Sequence, residues 1–68
     1  MEFSQRIKEI RLSKNLSQAA VARGANIDVR LYQYYEAGSS EPKISTAIKL
    51  ADYFDVSLDY LCGRSEEK

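Results

Sequence analysis

Apolar residues along this chain recur at helical spacing, and small polar residues cut the pattern into five segments. Phe3, Ile7 and Ile10 stand at i, i+4 and i+7, one apolar stripe of a first helix over about Ser4 to Ser13, with Ser4 as its candidate cap. Lys14 and Asn15 end it, and Leu16 plugs the corner that follows. Ser17 offers a hydroxyl N-cap to a second helix, Gln18 to Ala25, with Val21, Ala22 and Ala25 inward. Ala22 is small enough to let two helices meet closely where they cross. Asn26 then sits where the chain must reverse, and Asn tolerates the left-handed conformation better than any residue except Gly. Asp28 caps a third helix, Val29 to Ala37, closed by Gly38 in the C′ position. Glu41 precedes Pro42 and is biased to extended backbone, which makes this stretch a loop. Ser45 is the expected cap of a fourth helix that runs to Phe54 with Ala47, Ile48, Ala51 and Phe54 inward, and Asp55 takes the left-handed position at its end. Val56 returns to the core. Ser57 caps a short fifth helix whose apolar face is Leu58 and Leu61, stopped by Gly63, and residues 64–68 form a polar tail expected to fray.

Five short amphipathic helices and no alternating strand pattern define an all-α bundle. Its 68 residues are enough for one domain, 1–68, with a thin core. Hydrophobic residues at 44% and charged residues at 29% are ordinary for a soluble globular chain. No apolar run approaches the ~20 residues a membrane span needs, and the start lacks a signal-peptide core, so the expected location is cytoplasmic with no membrane partner. A single Cys and no His exclude an intramolecular disulfide and a conventional zinc site, and Cys62 beside Leu61 reads as a small hydrophobe. Neither a catalytic set nor a glycine-rich phosphate loop is present, so no enzyme, cofactor, metal or small-molecule ligand is expected. With no second domain, a sensor is expected to be absent or to lie on another chain.

The stretch from Ser17 to Ala37 organises the rest. Two short helices joined by so tight a turn cannot lie antiparallel and must cross steeply, which makes a helix-turn-helix. In SQAAVARGANIDVRLYQYYEAGSSEP the residues Ser17, Gln18, Ala22, Tyr35, Glu36, Gly38 and Pro42, with Val21, Ile27 and Asp28 as near equivalents, follow the pattern of the Cro and phage-repressor family. IKEIRLSKNLSQ upstream is similar to that family's first helix, and AIKLADYFDVSLDYLCG downstream to its fourth and fifth. The resemblance covers about Phe3 to Gly63. It implies the lambda-repressor-like bundle, a transcriptional regulator that acts mainly as a repressor, double-stranded DNA as partner, and a homodimer with its third helix in the major groove.

Within that resemblance individual residues acquire roles. Arg11 is implied to pair with Glu36, which at the end of a helix is otherwise badly placed against the macrodipole. Gln18 is either a plain helix residue or a contact to the DNA backbone or a base; spacing leaves both open, and the resemblance points to contact. Ile27, Tyr32 and Tyr35 fall on the packing side of the third helix with Leu31 at the margin, leaving Val29, Arg30, Gln33, Tyr34 and Ala37 outward. Arg30 can bridge a guanine's O6 and N7, Gln33 an adenine's N6 and N7, and Val29 can meet a thymine methyl. Tyr34 offers its ring to sugar and its hydroxyl to phosphate, and Asp28 stands with this surface at the start of the helix. Ser39 and Ser40 bring hydroxyls where the family usually brings basic residues, so only Lys43 supplies charge in that loop. Leu58, Leu61 and Cys62 are the implied dimer surface.

The net charge of zero is unusual for such a partner, but it is unevenly spread. Residues 1–35 hold six basic against three acidic side chains, and residues 36–68 hold four against seven. The positive half carries the motif. Neutral overall charge and the outward Val29 and Tyr34 leave one alternative: a protein-interaction module on the same fold with the third-helix face repurposed. A non-specific nucleic-acid binder would want a far more basic chain.

Overall fold

In the computed structural model, which describes residues 2–68, five helices follow one another: α1 (Phe3–Ser13), α2 (Gln18–Gly24), α3 (Val29–Ala37), α4 (Ile44–Phe54) and α5 (Leu58–Leu61). All five end in the same way. A residue in the left-handed region follows each one: Asn15 (φ 57°), Asn26 (φ 58°), Gly38 (φ 77°), Asp55 (φ 58°) and Gly63 (φ 81°). The next residue's N–H then reaches back five positions, as in Leu16 N to Arg11 O at 3.1 Å, Ile27 N to Ala22 O at 2.8 Å and Val56 N to Ala51 O at 3.0 Å. This Schellman closure satisfies carbonyls that a helix end leaves orphaned. After α1, α2 and α4 the residue so placed is apolar, so the same turn drives Leu16, Ile27 and Val56 against the core.

Three helix starts are capped as their sequences predict. Ser17 accepts from Ala20 N at 3.0 Å, Asp28 from Leu31 N at 3.1 Å and Ser57 from Tyr60 N at 3.0 Å. The other two differ from expectation. α1 starts at Phe3 behind Glu2, and α4 at Ile44 behind Lys43, neither with a side-chain cap, so Ser4 and Ser45 lie inside the first turn.

The core gathers Ile7, Ile10, Val21, Ala22, Tyr32, Tyr35, Leu50, Phe54 and Leu61. Ile48 is not part of it: it is 45% exposed, and Leu50 is buried instead. Ala47, Leu50, Ala51 and Phe54 make an i, i+3, i+4, i+7 stripe, and Ile48 lies a hundred degrees off it. Among the described residues Arg6 is the one charged residue that is buried, at 1% exposure. Its guanidinium lies 3.8 Å over the Tyr60 ring and donates from Nη2 to Glu66 at 2.8 Å. The segment expected to fray is thereby drawn back against the domain, and Ser57 N also donates to the Lys68 carbonyl at 2.7 Å. Among the described residues no helix is long and apolar enough to cross a membrane.

Candidate nucleic-acid interface

α3 is held from both sides. Tyr32 and Tyr35 are buried beneath it, and Phe3 of α1 packs edge-on against the Tyr35 ring, 6.3 Å between centroids. α2 crosses it through the tight turn, where Ala22 and Ala25 are buried. Gly24, at the end of α2, lets the Tyr53 ring of α4 lie so close that a Cβ there would stand 2.1 Å from Cε1. With its inner face committed, α3 turns Val29, Arg30, Gln33, Tyr34 and Ala37 to solvent. Val29 is 42% and Tyr34 47% exposed, with the polar Arg30 and Gln33 between them in sequence. Leu31, expected at the margin, is exposed as well.

A polar cluster fixes this helix to α1 and α2. Arg11 donates from Nε to Glu36 at 2.6 Å and from Nη2 to the other carboxylate oxygen at 3.0 Å. Its third nitrogen, Nη1, donates to the Leu16 carbonyl at 2.9 Å, tying the α1–α2 corner into the same cluster. Gln18 Nε2 donates to Glu36 at 3.1 Å, and the Tyr32 hydroxyl donates to it from within α3. Burial works against the Glu36 charge, but the hydrogen bonds from Arg11, Tyr32 and Gln18 and the guanidinium charge outweigh it, holding the carboxyl below its ordinary range. Burial first, and the neighbouring carboxylate second, push the Tyr32 hydroxyl well up, so it keeps its proton and remains a donor.

The other predicted residues are spread around this centre. Gln18 is half-buried at the start of α2, oriented by Glu36. Asp28 is exposed but serves as the cap of α3. Ser39 and Ser40 follow Gly38, with Ser39 N donating to the Tyr34 carbonyl at 3.0 Å, and Lys43 is exposed ahead of α4. The expected dimer surface needs correction. Leu61 has no exposed area and Leu58 packs against the core, so of that set only Cys62 is freely exposed. In a chain this small the fifth helix has one apolar face, and the core takes it.

Two features, at Arg6 and at Lys8, are not apparent from the sequence. Arg6 counts as basic in the sequence, yet it is buried and paired with Glu66, whereas the Arg11–Glu36 pair is the one expected. Lys8, one turn before Arg11 on the same side of α1, shares an open cleft with Gln18, Gln33 and Ala37. The three-residue step from Arg11 was the available signal for it.

Two short helices packed together across a tight turn, capped at both starts and set in a five-helix bundle, make a helix-turn-helix domain of the lambda-repressor-like kind. The chain belongs to the helix-turn-helix family of the Cro and phage repressors, whose sequence model matches residues 7–61. It is 43% identical over 67 residues to the uncharacterized HTH-type transcriptional regulator YqaE of Bacillus subtilis, covering 97% of this chain and 58% of that one. It is 36% identical over 64 residues to the cryptic phage CTXphi transcriptional repressor RstR of Vibrio cholerae, covering 94% and 58%. Among solved structures, a transcriptional regulator from Listeria innocua superposes with a TM-score of 0.84 at 30% identity, covering 98% of this chain and 63% of that one. The chain thus spans under two thirds of the length of these relatives.

Proposed function

We propose that this chain is a sequence-specific DNA-binding module of a transcriptional regulator, acting as a repressor, with α3 in the major groove. The observation that carries the reading is the outward row on α3: Arg30 and Gln33, the two side chains suited to bidentate base contacts, stand between the exposed Val29 and Tyr34. The bracing of α3 by Tyr32, Tyr35 and the Glu36 cluster supports it, because readout requires a helix that does not shift. Names of relatives such as the phage repressor RstR point the same way. Gln18, Ser39, Ser40 and Lys43 serve the phosphates in this reading. One α3 reads only a few base pairs, so the protein acts as a homodimer on two half-sites about 34 Å apart. Cys62 is the member of the predicted dimer surface still open to a second copy.

Selection of binding sites from random duplex DNA tests this. The expected product is an inverted repeat whose half-sites lie about one helical turn apart. Arg30→Ala is expected to cost about 1–3 kcal/mol at one position of each half-site and to relax preference there. No enrichment of any sequence over the starting pool would sink the reading.

A further inference from the structure

The basic charge available to a polyanion is smaller than the composition suggests. Arg6 is buried over Tyr60 and Arg11 is spent on Glu36, so neither guanidinium is free at the surface. The loop after α3 carries Ser39, Ser40 and Glu41, leaving Lys43 as its one cation. Beyond the exposed Arg30 of α3, a further cation beside that helix would add to the neutralisation of phosphates. Lys8 is placed to do so. It is exposed on α1 and forms one wall of the cleft whose other walls are Gln33 and Ala37 of α3 and Gln18 of α2, with Arg11 and Glu36 as its floor.

Two features suit that cleft to an anion. Arg11 and Glu36 cancel each other within it, so its remaining charge is that of Lys8. Among the described residues the ion pairs are Arg6–Glu66 and Arg11–Glu36, so the Lys8 ammonium is not taken by a carboxylate. Ala37 has no side chain long enough to fill the opening, so a sugar-phosphate strand can approach between α1 and α3. We infer that Lys8 is a backbone-phosphate contact of the DNA-bound protein, placed beside Gln33 and acting without reading sequence. This rests on the proposed DNA-binding function and adds a contact residue on α1, outside the helix-turn-helix.

The test is the salt dependence of binding by Lys8→Gln, Lys8→Arg and Lys49→Gln on a selected duplex and on an unrelated one. Lys49 is an exposed lysine on α4 that lines a different cleft, with Gly24, Asn26, Asp52 and Tyr53, and controls for the loss of one charge. For each bound chain, Lys8→Gln should lower the slope of log affinity against log salt by about 0.9, so its deficit relative to wild type is about 3–4-fold larger at 50 mM than at 200 mM salt. The loss should be equal on both duplexes, Lys8→Arg should restore the slope, and Lys49→Gln should match wild type. An unchanged slope for Lys8→Gln, or one no different from Lys49→Gln, overturns the phosphate contact while DNA binding stands. A loss confined to the selected duplex makes Lys8 a base reader and overturns it too. Absence of wild-type binding to any duplex removes both the contact and the function beneath it.

Discussion

Glu36 shows how much one residue can hold together. Its carboxylate receives Arg11 from α1, Gln18 from α2 and Tyr32 from its own helix, so three elements share one anion. Replacing it by Gln leaves the largely buried Arg11 without a counter-charge, which should cost about 2–4 kcal/mol, a large share of the stability of so small a chain. The pH dependence has a definite sign. The folded carboxyl lies below its ordinary value, so its contribution is complete above the unfolded value near 4.5 and is lost as pH falls through the folded one. Urea unfolding of wild type and Glu36→Gln from pH 7 to pH 2 should therefore give a stability difference that is flat down to about 4.5 and then shrinks. A constant difference over the whole range would remove Glu36 as the source of the acid sensitivity. The spacing of Arg11 and Glu36 was legible only through the family pattern, because 25 residues separate them. Arg6 was not legible at all: its burial depends on Tyr60 and Glu66, far along the chain.

Among the helices, what was legible was local. The caps at Ser17, Asp28 and Ser57 and the left-handed residues Asn26, Gly38 and Asp55 act within a few residues of themselves, so sequence alone sets them. α4 was harder because apolar residues occupy both its sides: Ala47, Leu50 and Phe54 face the core, while Ile44 and Ile48 face out. Periodicity cannot choose between two apolar faces; the neighbouring helices do. The Gly24–Tyr53 approach has the same long-range origin. Gly24→Ala gains up to about 1 kcal/mol of helix propensity, yet its Cβ would meet the Tyr53 ring, and overpacking costs about 1–3 kcal/mol. Net destabilisation of about 1 kcal/mol is expected in thermal unfolding. In a Tyr53→Ala background the same change should become neutral or favourable. If Gly24→Ala has the same effect in both backgrounds, the ring contact is not what the glycine serves.

For the molecule as a whole, what matters is which surfaces remain uncommitted. The core has absorbed Leu61 and most of Leu58, and internal pairs have absorbed Arg6 and Arg11. Left outside are Leu12, Ile44 and Ile48 on other helices and the α3 row, where Val29 and Tyr34 flank Arg30 and Gln33. On a helix whose inner face is already filled, such a pair is a candidate contact site. Against DNA, Val29 would pack on a thymine methyl and Tyr34 would reach sugar or phosphate, each contributing about 1 kcal/mol. Against a protein, the same pair would be the apolar anchors of a small interface. Val29→Ser with Tyr34→Ser decides between these roles, and since both side chains point to solvent the unfolding midpoint should stay near that of wild type. The expected outcome is weaker binding to the selected duplex with preference lost at A·T positions, because removing a methyl contact penalises thymine most. Fluorescence anisotropy on duplexes that differ at single positions would measure it. Unchanged affinity and preference would instead assign the row to a protein partner, and Arg30 and Gln33 would then serve at the edge of that interface.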